Sequence, residues 1–234
     1  MNLLPKSLFL APVITSLLAL VAQPTKADVI SFTLSLGNIA INSFSGPYAN
    51  VSVNRTDSTH ATITFSSLTA GGNIFLMGDG GTVGVNVNAT SWTPGPGPIT
   101  GANSGTGFSR SDADYSYSGA GNEDGFGSFN QTIKSFDGFG HSSSTVSFSL
   151  TDTSGTWASA ASVLTPNAGG FSVAAHIYVT ADPAKLANGA LATGYAVNGA
   201  PGSGDQIPDG GTTMALLGSA LAGLGILRKR ICKS

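Results

Sequence analysis

Five separate stretches of this 234-residue chain alternate apolar and polar side chains one by one, and that rhythm limits what it can fold into. Ile30, Phe32, Leu34 and Leu36 are interleaved with Ser31, Thr33 and Ser35. The same beat runs through Ala61, Ile63 and Phe65, through Val83, Val85, Val87 and Ala89, and through Val146, Phe148 and Leu150. It returns in Phe171, Val173, Ala175, Ile177 and Val179. An extended chain turns successive side chains to opposite faces, so period two marks strands with one buried and one wet face. Clusters of Gly, Pro, Asn and Asp, such as residues 77–81 and 94–98, separate these strands as turns and loops. Residues 182–191 could form one or two helical turns; no other amphipathic helix interrupts the pattern. The expected body is all-β, a single antiparallel β-sandwich of jelly-roll type.

The middle of the chain is less regular. Residues 93–124 hold few large aliphatic side chains and read as a long loop region or short irregular strands. Asp124-Gly125-Phe126-Gly127 recurs as Asp137-Gly138-Phe139-Gly140. Asp-Gly favours hairpin turns, so two such turns would bracket a strand over residues 129–136.

Both ends follow a different logic. Lys6, the apolar run 8–22 and the small residues of Thr25-Lys26-Ala27 have the layout of a cleaved secretory signal peptide, with the cut before Asp28. At the other end, Ile207-Pro208-Asp209-Gly210-Gly211 precedes the uncharged stretch 212–227 and then Arg228-Lys229-Arg230. Residues 213–227, at a rise of about 1.5 Å each, reach roughly 23 Å against a bilayer core of about 30 Å. Arg228 and Lys229 can snorkel to the interface and extend that reach. An apolar helix with a basic stop is oriented by the positive-inside rule, which leaves residues 28–206 outside the inner membrane. The expected organisation is therefore a signal peptide (1–27), an exported β domain (28–206) and a C-terminal sorting segment (207–234).

These three tail features together resemble a PEP-CTERM-type sorting signal, in its Val-Pro-Asp variant. The common form of that family carries Val-Pro-Glu-Pro, where this chain has Ile207-Pro208-Asp209-Gly210-Gly211. The resemblance implies a partner, the integral-membrane cysteine protease exosortase, which removes the tail and passes the protein to the cell surface. It also implies an inner-membrane intermediate in a Gram-negative-type bacterium that makes exopolysaccharide and biofilm matrix. In that scheme residues 207–211 present the cut site and Arg228, Lys229 and Arg230 stop transfer.

Charge supports export and narrows the partners. Residues 28–206 hold four basic and eleven acidic side chains, a net charge near −7. Nucleic-acid binding needs Lys and Arg to displace counterions, so that class is excluded. The sole cysteine, Cys232, lies beyond the basic cluster, which leaves the body without a disulfide or thiol nucleophile.

Chemistry inside the body is sparse. Asp112, Asp114, Glu123 and Asp124, with Asn122 beside them, form the one acidic group with the oxygen-rich character that Ca²⁺ takes, although the spacing is not that of an EF-hand. Solvated loop acids are the plainer reading, and no other cofactor is expected. Tyr115 and Tyr117 share a strand face if that stretch is extended, and could stack on sugar rings. Trp92 and Trp157 read as core. His176 falls on the opposite face from Val173, Ala175 and Ile177, either exposed or covering a second layer. His60, His141 and His176 have no zinc-ligand spacing, and no nucleophile elbow or phosphate loop appears. Asn-x-Ser/Thr triplets at Asn50, Asn54, Asn88 and Asn130 are expected by chance in so Asn- and Thr-rich a chain.

Three functions fit. The first is a non-enzymatic surface or matrix protein, associated with biofilm or exopolysaccharide. The alternative is a carbohydrate-binding module on a β-sandwich. A secreted glycoside hydrolase is the third, and needs two carboxylates converging on a cleft.

Overall fold

The structure is a computed structural model that describes residues 28–78, 83–95, 97–102, 115–135, 142–181 and 190–199. Thirteen strands follow in chain order: β1 (Asp28–Gly37), β2 (Ala49–Arg55), β3 (His60–Ala70), β4 (Asn73–Gly78), β5 (Val83–Val85), β6 (Trp92–Pro94) and β7 (Thr100–Ala102). Then come β8 (Tyr115–Glu123), β9 (Gly127–Ser135), β10 (Ser142–Ser143), β11 (Thr145–Asp152), β12 (Val173–Thr180) and β13 (Ala192–Asn198). The one helical feature among the described residues is a 3₁₀ turn, Ala160–Ser162.

The all-β, antiparallel expectation holds, but the strands do not divide into two separate sheets. They join in one sheet, in which β4, β3, β2, β1, β13 and β12 close a ring because β12 pairs back onto β4. The closure depends on strand length. β3 pairs with β11 through residues 60–66 and with β4 through 68–70 on the same edge. In the same way β12 carries β5 at Val173–Ala175 and β4 at Ile177–Thr180. Where β4 ends, the ring opens into two wings. One runs β12–β5–β9–β8; the other runs from β3 to β11, with β6 and β7 on the far edge of β11. The wings pack on each other: Tyr117 of β8 meets Phe148 of β11 edge to face at 6.2 Å and donates its hydroxyl to the Ser149 carbonyl at 3.2 Å.

The alternating residues fill this interior. Phe32, Leu34, Val51, Val53, Ile63 and Phe65 are buried with Val83, Val85, Val146, Phe148, Leu150 and the inward side of β12. Two small apolar clusters lie outside the main core. Phe126 and Phe129 of the β8–β9 hairpin cover Ala174 and Val197, and Leu76 covers Tyr178. These outer layers bury β4 and β12 on both faces, which is why Ile74-Phe75-Leu76-Met77 forms a strand without alternating.

Other departures have local causes. Leu36 is 45 % exposed, because the β1–β13 register shifts between Leu34 and Leu36 and the bulge turns the later side chain out. Phe171 lies just before β12 and packs edge to face on Phe126 at 5.3 Å, outside the main core. Within the segment read as loop, residues 115–123 form β8, a full hairpin partner of β9 despite register shifts at Gly119 and Gly121. The turn Asp124–Phe126 joins them as expected, with Gly125 and Gly127 both at φ 86°. Residues 137–140 and 182–189 lie outside the described residues, and so do residues 1–27, read as a signal peptide, and the whole tail. Among the described residues no helix is long and apolar enough to cross a membrane.

The two ends of the described body are pinned by side chains. Asp28 accepts from Arg55 Nε at 2.7 Å through Oδ1 and from the Ala160 N–H at 2.7 Å through Oδ2. At the end of β13, Asn198 Oδ1 accepts the Ser172 and Val173 N–H groups at 3.0 and 3.1 Å.

Candidate ligand cleft and sorting tail

A polar cleft of about 610 Å³ opens where the segment after β5, the loop after β11 and the 3₁₀ turn meet beside Asn130 of β9. Its walls are held by side chains that bond to backbone. Asn130 pairs with Val87 in both directions: Oδ1 accepts the N–H at 2.7 Å and Nδ2 donates to the carbonyl at 2.9 Å. The amide thus continues the ladder past the last β5–β9 pair. Asn86 Nδ2 donates to the Thr165 carbonyl at 3.1 Å, and Asn88 Nδ2 to the Ser162 carbonyl at 2.9 Å.

Asp152, 6 % exposed at the end of β11, shapes the opposite wall. Its Oδ1 accepts the Ser154 N–H at 2.9 Å, the Ser154 hydroxyl at 3.0 Å and the Gly155 N–H at 2.9 Å. This Asx turn sends the chain back under the cleft to Trp157. The indole is 2 % exposed and donates Nε1–H to the Asn88 carbonyl at 2.9 Å. Trp157 is therefore core, as read from the sequence, and it ties the loop after β11 to the segment after β5.

The residues singled out in the sequence lie elsewhere. Asp112 and Asp114 are outside the described residues. Asp124 is exposed in the hairpin turn, whereas Glu123 is buried at 2 % exposure and its Oε2 has no hydrogen-bond partner among the described residues. Burial pushes the Glu123 carboxyl up to about 8, against a smaller opposing pull from Lys134. Among the described residues no three His, Cys, Asp or Glu side chains come together as a metal site. Tyr115 and Tyr117 do share a face, and it is the inner one. Tyr115 is buried with its hydroxyl on Ser143, and Tyr117 is half-buried against the main core. Burial pushes the Tyr117 phenol up, with hydrogen bonding acting in the opposite sense. Trp92 is half-buried, and its Nε1–H reaches Gln131 Oε1 at 3.3 Å. His176 lies on the outer face of β12, with its ring 4.7 Å from that of Tyr195.

Sequence reasoning missed the cleft. Asn86, Asn130 and Asp152 come from three separated segments, and only the topology brings them together. Asn88 and Asn130 drew notice only as members of chance triplets.

A family model matches the tail. Residues 206–231 match the family model described as the VPDSG-CTERM motif. This is a variant of the PEP-CTERM-like exosortase sorting signal. The motif implies an exported, cell-surface-directed protein with a C-terminal sorting tail, processed by an exosortase-type membrane enzyme. Ile207 and Gly210 stand where the motif's name has Val and Ser. Searches of curated proteins and of solved structures find no match to the chain.

Proposed function

We propose that this is a non-enzymatic cell-surface or extracellular-matrix protein whose β body serves as a structural or adhesive unit. The observation that carries the reading is the VPDSG-CTERM match over residues 206–231. On this reading residues 212–227 hold the chain in the inner membrane of a Gram-negative-type bacterium and Arg228, Lys229 and Arg230 set its direction. An exosortase-type enzyme then acts near Ile207–Gly211, and the body passes to a biofilm or exopolysaccharide matrix. The test compares intact mass and location in the native host with and without alanines at Arg228, Lys229 and Arg230. The expected result is a wild type without its tail at the surface and a variant that keeps its tail or is mislocalised. A wild type left intact in the inner membrane would make the tail an ordinary anchor and remove the reading's main support.

A second reading, carbohydrate binding, is favoured by the cleft beside Asn86, Asn88 and Asp152. Ca²⁺ at Glu123 and Asp124 is not part of either proposal: Glu123 is buried, whereas Asp124 is exposed in the hairpin turn.

A further inference from the structure

We propose that the cleft between the segment after β5 and the loop after β11 binds a neutral saccharide through fixed hydrogen-bond acceptors, without aromatic stacking. The proposal rests on the carbohydrate-binding reading and deepens it by naming the site and the ligand class.

The argument begins with which atoms are already committed. Asn86 and Asn88 each give an Nδ2 hydrogen to a backbone carbonyl, which sets the orientation of each amide. Their Oδ1 atoms make no hydrogen bond among the described residues. Asp152 is similar: Oδ1 collects three donors, whereas Oδ2 has none among the described residues. Three acceptors are thereby immobilised before any ligand arrives, so little side-chain entropy is lost on binding. Thr90 and Thr156 add exposed hydroxyls that can donate or accept.

Charge and shape then select the ligand. Among the described residues the lining holds one carboxylate, Asp152, and no Lys, Arg or His. Phosphate, sulfate and uronate groups would meet repulsion and find no cation, whereas a ligand rich in hydroxyl donors matches the free acceptors. The volume of about 610 Å³ lies within the range of small-molecule clefts. Trp157 offers no ring face, because it is buried with its N–H already used. Ala89 and Ala158, which are not buried, supply the remaining apolar contact.

The test uses protein purified from its host and titrates it with soluble neutral hexasaccharides of glucose, galactose and mannose, and with oligogalacturonate, by calorimetry. Thr156→Trp fills the cleft at an exposed residue that makes no hydrogen bond among the described residues. Ser116→Trp places the same bulk on the exposed side of β8, away from the cleft. Melting temperature is read for both variants. The expected result is saturable binding of at least one neutral hexasaccharide, weakened about tenfold or more by Thr156→Trp and unchanged by Ser116→Trp. Neutral-glycan binding that Thr156→Trp leaves intact would overturn the cleft assignment while the carbohydrate reading stands. Binding of oligogalacturonate alone would overturn the ligand class. No binding of any probe would overturn the inference and the carbohydrate reading together.

Discussion

Glu123 shows how far one side chain can depart from the role its residue type suggests. It closes the β8–β9 ladder opposite Gly127, and its carboxyl lies against Gly84 of β5. A Cβ on Gly84 would stand 3.1 Å from Glu123 Oε1 and 3.3 Å from Phe129, so the missing side chain makes room for both. The carboxyl is raised from 4.5 to about 8 in the fold, chiefly by burial. Between those values it is protonated in the folded state and ionised in the unfolded chain. Its contribution to stability therefore falls as pH rises through that window, by up to about 1.4 kcal/mol per pH unit, and levels off above it. Glu123→Gln should flatten this slope, so that the variant gains on the wild type as pH rises from 5 to 8. Urea unfolding across that range measures the difference; parallel curves would refute it. The sequence showed Glu123 as one of a group of loop acids. Nothing local distinguishes it from Asp124, because its burial comes from strands distant in the chain.

At the scale of elements, alternation was legible wherever one strand face stayed wet. β3, β11 and the inward side of β12 were found that way. β4 was not, since Leu76 packs outward on Tyr178 while Phe75 and Met77 point into the core. β8 was hidden by its glycines and by bulges that break the period. Two strand-level predictions follow from these contacts. Leu76→Ala would empty the small outer cluster and cost about 2–5 kcal/mol, read as a lower urea midpoint with unchanged m-value. Asn198→Ala would strip the Ser172 and Val173 N–H groups of a shared acceptor in a buried setting, at a cost of about 1–3 kcal/mol. Asn198→Asp, which keeps the acceptor, should lose less in the same assay.

For the molecule as a whole, the sequence and the structure speak about different parts. Export and sorting were legible because a targeting signal is read locally, from residue order along a few turns of chain. The cleft was not, because it exists only once Asn86, Asn130 and Asp152 are brought together by the closure of β12 on β4 and the docking of the wings. The ring of six strands closes within residues 28–198. A chain ending at Gln206 should therefore melt at the same temperature as the full-length protein by circular dichroism. A large drop would mean that the tail is part of the fold. The position of β13 adds a mechanical consequence. It lies between β1 and β12, hydrogen-bonded to both, and the segment leading to the sorting motif leaves from its Asn198 end. Tension entering from the C-terminal side would pull β13 along its own axis. The ladder to β12, from Ala174↔Val197 to Val179↔Ala192, would then bear the load as simultaneous shear rather than opening rung by rung. In a single-molecule pulling experiment, a body tethered by its C-terminus should yield at high force in one step.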